Sequence, residues 1–293
     1  MSKNGLPRKP LTKRRLKNLI LNVLKNPFNM VVLVSLIILF CLIIIPLLTM
    51  ISSTFTLAQG ELRRVQGHVG DFTLYYWKYI LTGKLASAVL WGPLKNSFIC
   101  GFFTVLVSVP LGSVLAWLMI RTDLPGKKIL GLLVTVPYMI PSWTKALAWL
   151  AMFRNSTSGA NGFLAGLGIP VPDWLAYGPI AIVLCMSMHY YAFSYIMVSG
   201  ALRSINSELE EMGEIQGASK AQILRHITLP LILPSVLSAT VMTISKSIGT
   251  YGVPANLGNR IGYYTLATKM RTFIDQGPQA VGYAMSIVLV LLA

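Results

Sequence analysis

Six segments of the chain are apolar over all or most of the length that is needed to cross a membrane. They lie at about residues 28–51, 92–120, 129–152, 179–201 and 230–253, with a last one that begins near residue 281. The first five have the roughly 20 residues that a helix needs to span a hydrocarbon core. The pattern therefore predicts an all-α, polytopic transmembrane bundle of about six spans.

The sixth apolar segment runs only from Val281 to Ala293, where the sequence stops. A helix that rises 1.5 Å per residue would end inside the bilayer after about 13 residues. We therefore expect this span to be incomplete and the chain to be the first part of a longer polypeptide.

A basic segment, residues 1–27, precedes the first span. Its apolar residues recur at helical spacing among lysines and arginines, which predicts an amphipathic helix on the cytoplasmic leaflet. These apolar residues are Leu16, Leu19, Ile20, Val23 and Leu24. A disordered basic tail is the alternative. The first apolar run is longer than the core of a signal peptide, so we expect an uncleaved anchor.

The composition agrees with a membrane protein, and the positions of the basic residues indicate the role of the net positive charge. Charged residues make up 12% of the chain, about half the usual share in a soluble domain. The net charge of +16 could indicate a nucleic-acid partner, but eight of the 25 basic residues precede the first span. No stacking aromatics accompany them there, as a nucleic-acid groove would require. We therefore interpret this charge as an orientation signal beside anionic membrane lipid and exclude a nucleic-acid partner.

The charge of the loops predicts the orientation of the chain. With the N-terminus in the cytoplasm, inner segments 1–27, 121–128 and 202–229 hold 14 basic residues and the outer segments hold 8. Basic residues collect on the cytoplasmic side of membrane proteins. The acidic stretch Glu208–Glu214 is thus predicted to face the cytoplasm.

The segment 206–230 carries signals for two short helices. Ser207 with Glu210, and Ser219 with Gln222, have the spacing of capping boxes. Gly217 lies between them and is suited to the left-handed turn that ends a helix. We expect two helices in an L, the second of which leads into the span that begins at residue 230.

Charges at the ends of these two helices match the helix dipole. Acidic residues crowd the first turn of the first helix, and basic residues are predicted to close the second. The acidic residues are Glu208, Glu210 and Glu211, and the basic residues are Arg225 and His226. The first helix has a modest apolar face made of Leu209, Met212 and Ile215.

The run Glu211-Met-Gly-Glu-Ile-Gln-Gly217-Ala-Ser, followed by Ile227-Thr-Leu-Pro230, resembles the EAA motif of ABC-importer permeases of the MetI-like type. Met212 and Gly213 stand where that motif has two alanines. Gly213 lowers helix propensity by about 1 kcal/mol relative to Ala, so we expect a less stiff first helix. Segments 91–97, 116–126 and 248–254 are similar to the ferric-iron, thiamine, polyamine and phosphonate permease group.

The resemblance implies a permease subunit of the bacterial plasma (inner) membrane that works by alternating access and is not an enzyme. Its implied division is a first span and outer loop at 28–91 and a core permease domain at 92–293, with a coupling loop at 206–230. The coupling residues that the motif implies are Glu208, Glu211, Gly217, Ala218, Ile227 and Pro230.

Three partners follow from the same resemblance: a cytoplasmic ABC ATPase dimer, a second permease half, fused or separate, and an extracytoplasmic substrate-binding protein. The chain has no phosphate-binding loop of its own. No cofactor is therefore expected in this chain, and ATP and Mg²⁺ would be held by the ATPase. The three cysteines lie apart in apolar runs and indicate neither a metal site nor a disulfide.

Lys145, His189 and Lys246 fall within predicted spans, where an ionisable side chain indicates a functional role. Both lysines lie in outer halves of their spans and could instead extend to the headgroups, and His189 could be a packing residue. With Tyr251, these residues are the candidates for lining a substrate pathway.

All nine Asp and Glu residues lie outside the predicted spans. Lysines without acids favour an anionic cargo, such as a phosphonate, a phosphorylated small molecule or an anion-complexed ferric ion. A polyamine or thiamine permease is the alternative within the family. A secondary transporter would need coupling carboxylates in its spans, and a non-transporting scaffold would not need the spacing of Glu211, Gly217 and Pro230.

Overall fold

The computed structural model describes residues 27–62, 64–156, 159 and 161–292. The chain divides into two compact units, Met1–Ser53 and Thr54–Ala293. The predicted basic amphipathic segment lies outside the described residues up to Asn26. The first unit contributes one described helix, α1, Pro27–Ser53.

The second unit is helical throughout its described core. Its α-helices begin with α2 Tyr75–Leu81, α3 Gly92–Arg121, α4 Lys127–Met139, α5 Ser142–Phe153, α6 Phe163–Gly166, α7 Asp173–Ala176, α8 Pro179–Ser204 and α9 Glu208–Ile215. They are followed by α10 Lys220–Ile223, α11 Leu229–Gly249, α12 Gly252–Leu257, α13 Leu266–Gln276 and α14 Gln279–Leu292. Residues Ser87–Trp91 and Leu224–Thr228 form π-helical turns, and Gln59–Glu61 and Asn259–Ile261 form 3₁₀ turns.

Among the described residues, four helical stretches are long and apolar enough to cross a membrane. They are Pro27–Ser53, Ser87–Arg121, Asp173–Ser204 and Lys220–Gly249. They contain the first, second, fourth and fifth predicted spans, apart from a few residues at the end of the fifth. The shorter apolar helix Gln279–Leu292 occupies the place of the sixth.

The third predicted span, residues 129–152, is divided into α4 and α5. Ile140 and Pro141 between the two helices have extended ψ angles of 129° and 141°. The ring of Pro141 disfavours the helical conformation for the residue before it, so the helix cannot continue through Ile140. The fifth span is also shorter than predicted, because its helix ends at Gly249 rather than near residue 253.

The centre of the second unit is the contact between α3 and α8, against which α11 also packs. Gly112 permits the close approach, since a Cβ atom there would fall 2.8 Å from Ser194 Cβ and Tyr195 N. Small residues play this role in membrane bundles, where close backbone packing replaces a hydrophobic driving force. Near one end, a core cluster joins these helices to the start of α11: Ala116, Tyr195, Val198, Leu202 and Ile232.

Candidate functional site

The helix α9 begins at Glu208, but the predicted capping box of Ser207 and Glu210 is wrong. The Ser207 side chain makes no capping hydrogen bond. Asn206 Oδ1 accepts the amide of Glu208 at 3.2 Å instead, and Asn206 Nδ2 donates to Glu208 Oε2 at 2.8 Å. Glu210 is therefore free to act elsewhere.

The end of α9 is the turn that the sequence predicts at Gly217. Gly217 has a φ of +84°, the left-handed region that glycine occupies at low cost. Its amide donates to Glu214 O at 2.9 Å, and the amide of Ala218 donates to Gly213 O at 3.0 Å. This pair of hydrogen bonds is a Schellman motif, which ends α9 and redirects the chain.

The second predicted capping box is present. Ser219 Oγ accepts the amide of Gln222, and Gln222 Oε1 accepts the amide of Ser219 at 2.7 Å. Arg225 and His226 do not close a second helix, which corrects the sequence prediction. They lie in the π-helical turn that joins α10 without a break to α11.

Pro230 gives a physical reason for this π-helical turn. Proline has no amide hydrogen and its ring crowds the carbonyl four residues earlier, so a regular helix is disturbed at His226. A wider turn places the extra residue directly before the proline, and such turns are frequent at functional sites. The helix is consequently continuous from Lys220 into α11.

Glu210 ties the loop to two other elements. Its Oε2 lies 3.1 Å from Arg121 Nε at the end of α3, and its Oε1 accepts a hydrogen bond from Thr228 Oγ1 at 2.7 Å. The Arg121 and Glu210 side chains are only 16% and 19% exposed. Arg121 Nη2 also donates to Ile205 O at 3.4 Å. A movement of α9 would therefore act directly on α3 and on the start of α11.

Sequence reasoning missed Arg121, Glu210 and Thr228 as parts of this site. The signal that could have found them is the predicted topology, which puts the end of the second span and the acidic loop on the same side of the membrane. The capping-box spacing of Glu210 obscured this signal.

Gly213 has a packing role that its low helix propensity did not indicate. A Cβ atom there would lie 3.1 Å from Ile227 Cδ1 and 3.2 Å from Ile223 Cγ1. The glycine therefore lets α9 pack closely against the α10–α11 segment, which compensates for the backbone freedom it adds.

The six predicted coupling residues are distributed over both arms of the L. Glu208 and Glu211 are exposed on α9, and Pro230 is exposed at the start of α11. Gly217, Ala218 and Ile227 line one open groove of about 410 Å³ between the arms. The apolar face of α9 is open as well: Leu209 is 47%, Met212 57% and Ile215 85% exposed.

Two of the predicted pathway residues meet between α5 and α8. Lys145 Nζ lies 2.5 Å from His189 Nδ1, and the His189 ring stacks on Tyr138 with centroids 5.3 Å apart. Lys145 also lines a cavity of about 590 Å³ whose other lining residues are almost all apolar, among them Trp149 and Met188. An ammonium group beside an apolar cavity is suited to hold an anion that has left water.

Lys246 joins this cluster through aromatic rings. Its Nζ lies 5.3 Å from the centroid of the Phe193 ring, and Phe193 packs against Tyr138 at 5.8 Å. Tyr251 is exposed in the connection after α11 and is not among the residues that line the cavity beside Lys145. Within the described residues of the six apolar segments there is no Asp or Glu.

Residues 108–293 match the family described as the binding-protein-dependent transport system inner membrane component. The chain belongs to this family. The permease is thus a multi-pass component of an inner-membrane transport system and not an enzyme. Family membership sets aside the secondary-transporter and scaffold alternatives.

Relatives of this permease are named for the transport of oxyanions. It is 24% identical over 200 residues to a sulfate transport system permease of Salmonella typhimurium, with 68% of each chain covered. It is 28% identical over 219 residues to a permease of the same species named for 2-aminoethylphosphonate transport, with 75% of each covered. A relative in Marchantia polymorpha named for sulfate transport is 27% identical, and the alignment spans 59% of that protein, less than two thirds of its length.

Solved structures share the fold of this permease. A chain of a bacterial ABC transporter involved in the import of the acidic polysaccharide alginate matches with a TM-score of 0.68 at 18% identity, covering 94% of both chains. An inward-facing methionine ABC transporter matches with a TM-score of 0.53 at 22% identity, over 71% of this chain and 89% of that one. These likenesses establish the all-α permease fold.

Proposed function

We propose that this permease forms the translocation pathway of an ATP-driven importer for a small oxyanion such as a sulfate or a phosphonate. The observation that carries the choice of cargo is the cluster of Lys145, His189 and Lys246 in helices without a single carboxylate. A free cation would be repelled by this cluster, because the low dielectric of the membrane interior strengthens charge interactions. The names of the sulfate and phosphonate relatives also support a small oxyanion as the cargo, and they give no support to thiamine or a polyamine.

The coupling half of the proposal concerns residues 206–230. The exposed apolar face of α9, framed by Glu208 and Glu211, fits a groove on a separate cytoplasmic ATPase that holds ATP and Mg²⁺. Closure of the ATPase dimer would push α9, and the contacts of Glu210 would pass this movement to α3 and α11. Residues 28–91 form the first span and outer loop in this proposal, and residues 92–293 form the core with the coupling loop.

Two further partners complete the proposed importer. A second permease half supplies the other wall of the pathway, and an extracytoplasmic binding protein delivers the oxyanion. The released oxyanion then meets the cationic side chains of Lys145 and Lys246 in the spans, where no carboxylate competes for them.

The cargo is tested by uptake into proteoliposomes that contain the assembled transporter and its binding protein. We expect ATP-dependent uptake of labelled sulfate or 2-aminoethylphosphonate and none of a polyamine or thiamine. Lys145→Met and Lys246→Met should each reduce oxyanion uptake about thirtyfold, because a charge-assisted contact is worth about 2 kcal/mol. Lys84→Met removes the same charge from an exposed outer-loop position and should leave uptake unchanged. Uptake of a polyamine alone, or equal losses in all three variants, would contradict the oxyanion pathway.

A further inference from the structure

A second cavity lies between the ends of α3, α4 and α8 on the predicted cytoplasmic side, apart from both the coupling loop groove and the Lys145 cavity. Its volume is about 530 Å³. Met119 and Ile120 of α3 and Ile196 of α8 form an apolar wall. Three basic residues also line the cavity: Lys127, Lys128 and Arg203.

Two of the three basic residues of this cavity have no acidic partner among the described residues. The only described ion pair among them joins Lys127 to the fully exposed Asp123, at 3.7 Å, a kind of surface contact that contributes little. Lys128 and Arg203 form no ion pair with the described residues, and no carboxylate lines the cavity. The cavity therefore keeps an uncompensated positive charge.

Besides its basic side chains, the cavity has hydrogen-bond donors that lack partners. Ser199 is 6% exposed, lines the cavity, and its Oγ has no hydrogen-bond partner among the described residues. Lys127 and Lys128 are the first two residues of α4, where backbone N–H groups have no acceptor within their own helix. A buried hydroxyl without a partner is costly, so Ser199 Oγ is available to donate to a group in the cavity.

Gly200 provides the room for such a group. A Cβ atom at Gly200 would meet nothing within 4 Å, whereas one at Gly131 on the facing helix would lie 3.8 Å from Tyr195 Oη. The cavity thus has free space beside Arg203 on α8.

We propose that this basic cavity binds a tetrahedral oxyanion, a phosphate or sulfate group. The group is carried by the headgroup of an anionic phospholipid of the cytoplasmic leaflet or by a free anion. Basic pockets between membrane helices on this side hold anionic headgroups, and the apolar wall of Met119, Ile120 and Ile196 suits an acyl chain. The proposal holds whatever the cargo of the pathway is, because it uses none of the pathway residues.

The test uses the purified full chain in detergent and two probes. Native mass spectrometry compares phosphatidylglycerol with net-neutral phosphatidylcholine, and thermal unfolding compares sodium sulfate and phosphate with chloride at equal ionic strength. Retention of phosphatidylglycerol identifies the lipid as the source. Stabilisation by sulfate or phosphate identifies a free anion where Lys128→Ala or Arg203→Ala reduces it, because both anions also stabilise proteins without binding to them. Either result supports the site.

Variants decide whether the signal comes from this cavity. Lys128→Ala and Arg203→Ala should each weaken binding about fivefold, the value of one basic residue at the membrane surface. Gly200→Leu fills the space without changing the charge and should also weaken it. Arg225→Ala removes an exposed cation elsewhere on the same side and should not. Absence of binding by both probes, or losses no larger than that of Arg225→Ala, would overturn the proposal.

Discussion

At the scale of single residues, two adjacent glutamates of α9 have different environments. Glu210 is held between Arg121 and Thr228, whereas Glu211 is exposed. The family motif draws attention to Glu211, and the structure adds Glu210 as the residue that fastens the loop to the rest of the permease. The first acts outward on a partner in our proposal, and the second acts inward.

Removal of the Glu210 side-chain charge should loosen α9 from α3. Glu210→Ala leaves Arg121 without its partner, and the loss of such a charge-assisted contact costs about 2 kcal/mol. Hydrogen–deuterium exchange of residues 206–216 should then become about thirtyfold faster if it proceeds through local opening. A double variant in which the two charges are swapped, Glu210→Arg with Arg121→Glu, should restore part of the protection of these amides from exchange.

Glu211→Gln serves as the matched control, because it removes the same charge from the neighbouring exposed residue. Its exchange should equal that of the unmodified chain. Equal acceleration in Glu210→Ala and Glu211→Gln would show that the contact between Glu210 and Arg121 does not hold α9 in place.

The sequence predicted the hinge at Gly217 and the Ser219 capping box because both depend on local backbone rules. It did not predict the partners of Glu210, since they come from residues 89 and 18 positions away in the chain. Spacing alone favoured a capping role for Glu210, but the structure shows Asn206 Oδ1 accepting a first-turn amide, that of Glu208. Local signals could not decide which polar side chain would satisfy the amides at the start of α9.

At the scale of elements, the loop is a short helix joined by one hinge to a long continuous one. The Schellman turn at Gly217 sets the angle, and the π-helical turn before Pro230 carries α10 into α11. Between these two points Ile223 and Ile227 pack on Gly213. In the proposed coupling role, a force on α9 would pass through the hinge and through this close packing.

Substitution of Gly217 should impair transport through the backbone alone. A Cβ atom there would meet nothing within 4 Å, but a left-handed conformation costs other residues about 1–2 kcal/mol. We expect ATP-driven uptake to fall in the order Gly, Asn, Ala, Val, because asparagine tolerates this region and a β-branched residue does not.

Gly166→Ala is the matched control for the Gly217 series, since its Cβ atom would also meet nothing and its φ is not positive. Uptake by that variant should be normal. Full uptake by Gly217→Val would mean that the angle of this hinge is unimportant for coupling.

At the scale of the whole molecule, hydrophobic pattern predicted the helical bundle and four of its continuous spans. The division of the third span at Ile140 could be anticipated from Pro141, although Pro137 lies within α4 and does not divide the span. The link between Lys145 and His189 lay beyond sequence reasoning, because α5 and α8 meet only in the folded chain. The ATPase partner was inferred from the resemblance of residues 211–230 to a family motif, because hydrophobic pattern alone does not indicate a partner.

The central claim is that α9 docks an ATPase, and cross-linking from its most exposed apolar residue tests it directly. A photo-reactive amino acid at Ile215, 85% exposed, is introduced into the full chain in cells, and the captured protein is identified by mass spectrometry. Leu167, 63% exposed in the predicted outer loop, is the control position. We predict that Ile215 captures a nucleotide-binding ATPase, that Leu167 does not, and that Glu211→Lys lowers both the capture and ATP-driven uptake at least about tenfold. Capture of only lipid, or of the same proteins from both positions, would contradict the coupling role of this loop.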